Sequence, residues 1–421
     1  MRRSAEAERR VGIDWFATDG HPCPSLVKKS PEDFVVEEQL SFPEIVKEPV
    51  PGYLPLYRVE KRGMDTMHMA RELSEALGSR VAYAGLKDKR AVAVQYVTPT
   101  SSRSSRPPQV QRDRFTATLV GYVPVPLARS ALTGNRFSIV LRECCADASE
   151  VLGETMEAAS EGKIPNFYGL QRFGAGGAGT HMIGRAMVRG TFEEAVKRML
   201  TTGRGTFGRE AEAQEAFEAG RYDQIPGLMP DGRDVELAVA WELARHPGDW
   251  VRSLRAVPVN LRRLYVQAYQ SFIFNRTMSL ALEAGEDISG LRPGDNWAEA
   301  SADGLALSAI RGVRETPTGT AVPVVQVIGY AFRDYGSRFD SLAKRALEAE
   351  GIRAGQFYLE GMQEVSQEGG FRRPQLVVRG GSWSVQNDAA SLSFTLPRGQ
   401  YATVLLREMV KAEDPAGAGL A

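Results

Sequence analysis

The chain has 421 residues, of which 43% are hydrophobic and 25% are charged, and this is the composition of a soluble globular protein long enough for two domains. Its formal net charge of zero excludes binding of nucleic acid through bulk positive charge, so any nucleic acid must contact a local basic surface. The apolar runs are too short to span a membrane, and the first residues lack the apolar stretch of a signal peptide. We therefore expect a cytoplasmic protein without membrane contact, whose arginine-rich start is solvated.

Residues that bind metals or carry redox chemistry are few. The three cysteines are Cys23, Cys144 and Cys145, which include no C-x-x-C spacing, and adjacent cysteines rarely pair. The four histidines are scattered and make no metal-ligand spacing. The glycine-rich stretch 174–179 lacks the G-x-G-x-x-G spacing of a dinucleotide site. We expect reduced cysteines, no metal site and no cofactor.

Short runs rich in β-branched and aromatic residues predict strands. These runs cover 34–38, 56–61, 81–84, 91–97, 115–123, 137–142, 321–330, 375–379 and 390–396. The stretch 98–112 is rich in Ser, Pro and Arg, and it predicts a mobile loop or a crossover whose arginines are candidates for phosphate contacts.

Apolar residues at helical spacing predict helices, mainly in the second half of the chain. These segments cover 64–77, 147–161, 185–200, 209–219, 235–245, 261–284, 339–350 and 402–408. Asp65 or Thr66 is expected to cap the first of them, and Gly78 to end it. The last residues, 414–421, are expected to be disordered.

The segment 81–97, VAYAGLKDKRAVAVQYV, places Asp88 at the tip of a polar turn between two predicted strands. Asp88 lies between Lys87 and Lys89, and neighbouring cations favour the ionised carboxylate that a nucleophile or a general base requires. Gly85 allows the chain to turn sharply or to approach a ligand closely. On spacing alone, a solvated hairpin loop explains the same residues equally simply.

Four stretches of the chain match motifs of one enzyme family, in the family's own order. They read KKSPEDFVVEEQ from Lys28, AGLKDKRAVAVQ from Ala84, PNFYGLQRFG from Pro165 and LPRGQYATVLLRE from Leu396. On these residues the chain resembles the TruD family of pseudouridine synthases. The resemblance implies an α+β pseudouridine synthase core with a mixed, mainly antiparallel sheet of circularly permuted strand order, together with an inserted α/β TRUD domain.

The resemblance also implies roles for individual residues. Asp88 occupies the place of the family's catalytic aspartate, and Lys28 that of a lysine that projects into the active site and is placed to pair with it. Lys29 is the neighbouring candidate, one place off the motif. Four residues match positions that contact the substrate: Phe34, Asn166, Tyr168 and Tyr401. From the pattern alone, Phe34 would be a core residue.

The family's inserted domain predicts a division of the chain into three parts. Residues 1–180 and 375–421 would form the catalytic domain, and residues 181–374 the inserted domain, as the second wall of an RNA cleft. The implied reaction is the isomerisation of uridine to pseudouridine, at position 13 of tRNA in most members. The implied partner is tRNA, and we expect a monomer without a cofactor or an obligate protein partner.

Two other functions remain open. A non-catalytic RNA-binding protein would share the scaffold, but it would require a change at the Asp88 position. An aspartate-dependent N-glycosidase acting on free nucleosides would not need the large insertion. For the synthase itself two routes are open, because Asp88 either attacks C1′ of the ribose or removes the 2′ proton so that a glycal forms.

Overall fold

The computed structural model describes residues 1–41, 44–101, 106–174, 179–201, 209–301, 307–311 and 321–421. The strands within these ranges are Phe34–Leu40 (β1), Leu54–Arg62 (β2), Val81–Tyr83 (β3), Val92–Pro99 (β4), Gln109–Gln111 (β5), Phe115–Val123 (β6), Leu132–Leu141 (β7), Trp297–Ala300 (β8), Leu307–Arg311 (β9), Ala321–Pro323 (β10), Val325–Val327 (β11), Gly370–Arg372 (β12), Arg379–Gln386 (β13) and Ala389–Pro397 (β14). The helices are Glu6–Arg9 (α1), Thr66–Leu77 (α2), Ala148–Ser160 (α3), Thr180–Val188 (α4), Phe192–Thr201 (α5), Glu210–Glu218 (α6), Asp234–Arg245 (α7), Trp250–Arg255 (α8), Val259–Glu283 (α9), Arg338–Ala349 (α10) and Ala402–Val410 (α11). None of the described helices is long and apolar enough to cross a membrane.

Two of the predicted segments extend beyond the described ranges. The expected loop at 98–112 contains the end of β4 and the short strand β5, and its residues 102–105 are not among those described. Residues 175–178 of the glycine-rich stretch are likewise outside the described chain.

Helix ends follow the capping residues. The side chain of Asp65 accepts hydrogen bonds from two backbone N–H groups of the first turn of α2, and Gly78 ends that helix with φ of 64°. Gly285, with φ of 69°, follows α9 in the same way. The single helix predicted at 185–200 is wrong, because Gly190 takes φ of 74° and separates α4 from α5.

A nine-stranded sheet forms the centre of the described chain, in the order β13-β14-β7-β1-β4-β2-β6-β5, with β3 paired to β4. The pair β1–β4 is parallel, and the other described pairs in this sheet are antiparallel. This confirms the prediction of a mixed, mainly antiparallel sheet. The strand predicted at 375–379 is wrong: Gln375 forms an isolated bridge, and the edge strand begins at Arg379. That strand is largely exposed, so it carries no apolar pattern to predict it.

One row of paired residues defines the face of the sheet on which the candidate site lies. Phe394 of β14 pairs with Phe137 of β7, which pairs with Val36 of β1. Val36 pairs in turn with Ala93 of β4, and Ala93 with Lys61 of β2. Side chains of directly paired residues share a face of the sheet. A lysine therefore lies on the same face as the apolar core.

Helices cover both ends of this face. Helix α2 joins the apolar cluster of β2, β4 and β6, which includes Tyr57, Val59 and Leu73. Helices α3 and α11 join a larger cluster with β1, β7 and β14, which includes Leu152 and Leu405. The strip of β1 and β7 that faces the loop between β3 and β4 is left as the floor of the candidate site.

A second apolar cluster lies in the part of the chain between α3 and β13. It contains residues of α4, α5, α7, α9 and α10, and the described residues of this part add no strand to the nine-stranded sheet. Helix α9 contributes Tyr269 and Ile273 to this cluster and Phe274 to the cluster under the sheet. The long helix therefore packs into both clusters.

Both ends of the chain are packed rather than loose. Near the start, buried Glu8 binds the buried guanidinium of Arg407 at 2.6 Å, and Arg407 also contacts Glu408. Near the end, Leu420 is buried, and its carbonyl accepts a hydrogen bond from Gln171 at 3.1 Å. The expectation of a disordered end is therefore wrong, whereas Arg2, Arg3 and Arg10 are exposed, as expected for a solvated start. The sequence did not show that Glu8 is buried, because its partner Arg407 lies 399 positions away.

Cys23 and Cys145 form a disulfide, with Cα atoms 5.3 Å apart. The bond joins the segment before β1 to the turn after β7, across 122 positions of sequence. The expectation that all three cysteines are reduced is therefore wrong for this pair. Cys144, the adjacent residue, is a free thiol.

Candidate active site

Asp88 lies in the loop between β3 and β4, and its side chain is 50% exposed. The ammonium of Lys28 donates a hydrogen bond to Oδ2 of Asp88 at 3.1 Å. The Lys28 side chain is only 7% exposed, so the pair joins a buried cation to a carboxylate that a ligand can reach. The alternative candidate, Lys29, pairs with Glu143 at 2.6 Å instead. The structure thus brings together the two residues predicted to carry the chemistry.

The backbone at Lys28 explains how a side chain so far from Asp88 in sequence reaches it. Lys28 has φ of 58°, a conformation that costs a residue with a Cβ roughly 1–3 kcal/mol. Two hydrogen bonds between Leu26 and Arg142, at 2.8 and 3.0 Å, anchor the preceding residues to the end of β7. The ammonium lies 4.4 Å from the centre of the Phe34 ring, where cation–π attraction is favourable. These contacts hold the strained residue and direct its charge at Asp88.

A second lysine holds the loop from beneath. Lys61 is fully buried, and its ammonium donates to the carbonyl oxygens of Met64 at 2.6 Å, Asp88 at 3.1 Å and Lys87 at 3.4 Å. An ammonium has three N–H donors, so these bonds use all of them. Burial lowers the pKa of Lys61 to about 8, although the nearby carboxylates of Asp88 and Asp65 favour its charged form. Lys61 therefore positions the backbone of the loop.

Lys87 anchors the other side of the loop. Its ammonium forms a buried ion pair with Glu38 at 2.8 Å, and its backbone N–H donates to the hydroxyl of Thr66 at 2.9 Å. A Cβ at Gly85 would lie 3.2 Å from the Lys87 ammonium and 3.5 Å from the carboxylate of Glu38, so glycine leaves the space that this ion pair occupies. The backbone that carries Asp88 is thus fixed by buried contacts, unlike that of a solvated hairpin.

Asp88 opens onto a pocket of 330 Å³, a volume typical of small-ligand sites. The floor comes from β1 and β7, and the walls come from residues 84–88 and 398–403. Phe34 and Tyr401 line this pocket, so Phe34 belongs to both the core and the site. No group of three or more His, Cys, Asp and Glu side chains in the described ranges is arranged to hold a metal ion.

Exposed cations lie at the mouth of the pocket. Arg129 and Arg398 line it, and the guanidinium of Arg398 donates to the carbonyl of Arg129 at 2.8 Å. Lys89 and Arg90 follow Asp88 in the loop and are also exposed. Arg129 and Arg398, here called the basic rim, give a chain of zero net charge a local positive surface at the pocket.

Tyr168 adjoins the pocket through Tyr401. Their ring centres are 6.2 Å apart in an edge-to-face arrangement. Asn275 of α9 accepts from the backbone N–H of Tyr168 at 2.8 Å and donates to its carbonyl at 3.0 Å. Burial raises the pKa of Tyr401, which keeps its phenol neutral. The long helix therefore positions an aromatic residue of the candidate site.

Arg372 of β12 connects the remaining predicted residue to Tyr168. Its guanidinium carbon lies 4.1 Å from the centre of the Tyr168 ring, and it donates to Oδ1 of Asn166 and to the carbonyl of Gly399, each at 2.6 Å. Asn166 is buried, and its amide nitrogen donates to the carbonyl of Arg373 at 3.2 Å. Asn166 is thus placed behind Arg372 and does not line the pocket.

Sequence reasoning missed the roles of Lys61 and Arg372. A signal existed for each, in the spacing K-x-x-x-D-T from Lys61 and in the G-F-R-R run from Gly370. Neither pattern tells which atoms the lysine or the arginine touches, because both side chains contact backbone carbonyls.

Comparison with known proteins assigns the scaffold to a family. Residues 10–409 match the family model described as "tRNA pseudouridine synthase D (TruD)". The chain belongs to the TruD family. Membership makes it an isomerase of the pseudouridine synthase class.

Individual TruD relatives match along nearly the whole chain. A protein of Pyrobaculum arsenaticum named "Probable tRNA pseudouridine synthase D" is 31% identical over 99% of both chains. One of Methanopyrus kandleri with the same name is 33% identical over 85% of this chain and 86% of the relative. A crystal structure from Methanosarcina mazei, described as tRNA pseudouridine synthase D (TruD), matches with a TM-score of 0.80 and 25% identity, over 99% of this chain and 100% of that chain. The TruD structure confirms the α+β fold class.

Proposed function

We propose that this protein isomerises a uridine of tRNA, at position 13, to pseudouridine, with Asp88 as the reactive residue. The observation that carries the proposal is the ion pair of Lys28 and Asp88 in a pocket lined by Phe34 and Tyr401. The relatives' names supply the substrate class, since they call those proteins tRNA pseudouridine synthases. The basic rim supports the same class, because phosphate contacts from Lys and Arg dominate binding to nucleic acids.

The reaction rearranges bonds within one nucleotide. The N1–C1′ bond breaks, the uracil turns, and C5 bonds to C1′; C5 then loses its proton and N1 gains one. No electrons or groups enter, so the reaction requires no cofactor. The target base must first leave its stack, at a cost of a few kcal/mol. Stacking on an aromatic side chain returns roughly 1–3 kcal/mol per base, and Tyr168 is the residue proposed for that contact.

Asp88 carries the chemical step by one of two routes. As a nucleophile it attacks C1′ as uracil leaves, and C5 of the turned uracil then displaces it from C1′. As a base it removes the 2′ proton while uracil leaves, which gives a glycal, and it returns that proton when C5 bonds to C1′. Both routes use the carboxylate of Asp88, which the ammonium of Lys28 holds by a hydrogen bond at 3.1 Å. Lys61 fixes the backbone beneath Asp88, which keeps the carboxylate at one position over the pocket floor.

The remaining binding residues act around the base. Phe34 and Tyr401 form apolar walls of the pocket. Asn166 contributes through Arg372, which it holds against the ring of Tyr168. Loss of this contact would leave the ring free to turn away from an unstacked base.

We place the catalytic domain at 1–180 and 375–421 and the inserted domain at 181–374. Two observations support this division. The part 181–374 contains the second apolar cluster, and its described residues contribute no strand to the nine-stranded sheet. Helix α9 connects the insertion to Tyr168 through Asn275, so a second wall built from the insertion would lie beside the pocket. We further propose a cytoplasmic monomer.

The test is incubation of the protein with unmodified tRNA transcripts, followed by nucleoside analysis and mapping of pseudouridine. The matched control is a transcript with cytidine at position 13. Pseudouridine at position 13 of the uridine transcript alone supports the proposal. Release of free uracil would indicate an N-glycosidase, and binding without modification would indicate an RNA-binding protein. Either result would refute the synthase assignment.

A further inference from the structure

A uridine isomerase must distinguish uracil from cytosine within the pocket. Uracil carries a hydrogen-bond donor at N3, whereas cytosine carries an acceptor at N3. An acceptor fixed opposite N3 therefore binds uracil and repels cytosine. The residue that supplies this acceptor should line the pocket and should have an acceptor atom that the protein itself does not use.

Among the described residues, three amide side chains line the pocket, those of Asn135, Gln171 and Gln400. Gln171 donates to the carbonyl of Leu420 at 3.1 Å and accepts from the hydroxyl of Thr403 at 3.1 Å. Gln400 accepts from a backbone N–H at 2.8 Å and donates to a backbone carbonyl at 3.5 Å. Both glutamines thus hold the pocket wall together, and Asn135 is left as the amide available to a base.

Asn135 stands on the floor of the pocket. It lies on β7 two positions before Phe137, so its side chain shares the face of the sheet that carries the apolar row. It pairs directly with Glu38 of β1 and with Leu396 of β14. Its side chain therefore lies between those of Leu396 and Glu38, and Glu38 forms the buried ion pair with Lys87.

Unpartnered acceptors at Asn135 and Glu38 define the orientation of the amide. Oδ1 of Asn135 is buried and has no hydrogen-bond partner in the described chain. Oε1 of Glu38 lies 2.8 Å from the ammonium of Lys87 in an ion pair. It is buried as well, and it accepts no hydrogen bond of favourable geometry from the described residues. The two oxygens belong to directly paired residues, and a buried acceptor without a donor is unfavourable. The two ends of an amide have nearly the same shape. A half-turn of the amide places its NH₂ toward Glu38 and turns Oδ1 toward the pocket.

We propose that Asn135, oriented by Glu38, accepts the N3–H of the target uracil and thereby selects uridine. This inference rests on the proposed function, since it names the residue that reads the base in the same pocket. A carboxylate oxygen can accept more than one donor, so the amide NH₂ binds Glu38 without displacing Lys87. Because Glu38 prevents the amide from turning back, a cytosine would place its N3 lone pair against Oδ1.

The experiment pairs a protein change with a change of one substrate atom. Wild type and Asn135→Ala are compared on two transcripts, one with uridine and one with 3-methyluridine at the target position, by nucleoside analysis of the isomerised product. The methyl group removes the N3–H, and the alanine leaves room for it. In wild type, kcat/KM should fall at least a hundredfold with 3-methyluridine, because a site built around a polar contact strongly rejects an analogue that lacks it. In Asn135→Ala, kcat/KM for uridine should fall roughly tenfold to a hundredfold, and the difference between the two transcripts should drop below about threefold.

Control variants separate recognition of the base from structural damage. Ser138→Ala alters an exposed residue on the other face of the same strand, and it should keep the wild-type preference for uridine. Asn135→Ser replaces the alanine variant if the latter does not fold. An unchanged preference in the Asn135 variants would overturn this inference while the synthase assignment stands. Failure of wild type to make pseudouridine at all would instead overturn the proposed function.

Discussion

Replacement of Lys61 by methionine tests whether catalysis depends on the buried ammonium beneath the loop. The change removes three hydrogen bonds from a charged donor, each worth at least about 1.5 kcal/mol, or roughly 5 kcal/mol together. It also removes a buried charge whose pKa falls from 10.5 to about 8, which corresponds to a cost of about 3 kcal/mol at neutral pH. The free energy of unfolding should therefore fall by only about 2 kcal/mol.

The rate should respond far more than the stability. Two of the three lost bonds hold the carbonyls of Lys87 and Asp88. A displacement of about 1 Å in a reacting group costs roughly a hundredfold in rate, so we expect kcat of Lys61→Met to fall by about that factor. The assay is single-turnover pseudouridine formation, with urea unfolding of the same sample. Lys47→Met is the matched control, because Lys47 is an exposed lysine that also donates to a carbonyl, at 3.2 Å, and lies outside the loop and the pocket lining.

The pH dependence of Lys61 gives opposite signs for stability and activity. The pKa of Lys61 is about 8 in the folded chain and 10.5 ordinarily. Between pH 8 and 10.5 the unfolded chain therefore binds more protons than the folded chain. The contribution of Lys61 to the free energy of unfolding rises with pH across this range. Activity should fall above pH 8, because a neutral amine has two N–H donors and releases one carbonyl. This alkaline fall should be absent in Lys61→Met. A variant with the wild-type rate and pH profile would refute the positioning role of Lys61.

Three further substitutions have distinct expected outcomes. Tyr168→Leu should lower the rate roughly tenfold to a hundredfold because stacking is lost, and Tyr168→Phe should keep the rate. The Tm should change little in both variants. A large loss of Tm in Tyr168→Leu would identify Tyr168 as a core residue instead. Cys23→Ser should lower the free energy of unfolding by up to about 5 kcal/mol relative to the oxidised wild type, because the disulfide closes a loop of 122 residues. The variant should be as stable as the reduced wild type. Identical Tm values of the oxidised and reduced wild type would contradict this expectation. Glu8→Gln leaves Arg407 with one of its two buried carboxylates and should reduce the free energy of unfolding by about 2–4 kcal/mol in urea, without changing kcat of the folded protein.

The sequence predicted those parts of the fold that local patterns specify. Alternating apolar runs located β1, β2, β4, β6 and β14, and capping residues located the ends of α2 and α9. Strand β13 was missed because nearly all of it is exposed. The packed chain end was missed because its contact, from Gln171 to the carbonyl of Leu420, joins residues 249 positions apart. The disulfide was missed for the same reason, since a separation of 122 residues leaves no local pattern.

For the site, the motifs predicted the pairing of Lys28 with Asp88 but not the contacts of the other residues. They placed Asp88 in a loop and named Lys28, and the structure joins the two at 3.1 Å. They grouped Asn166 with the residues that contact the substrate, whereas its amide is bonded to Arg372 and to a backbone carbonyl. No pattern pointed to Asn135, because an asparagine in a strand acquires meaning only when its cross-strand neighbour, Glu38, is known.

We propose above that the carboxylate of Asp88 performs the chemistry on a bound tRNA. The direct measurement is single-turnover formation of pseudouridine by Asp88→Asn, with the dissociation constant for tRNA determined on the same preparation. Asparagine keeps the size and a hydrogen-bonding oxygen but neither attacks C1′ nor removes a proton. We expect no detectable pseudouridine and a dissociation constant within about threefold of wild type, since the change leaves the basic rim intact. Pseudouridine formation by Asp88→Asn at the wild-type rate would contradict the proposal.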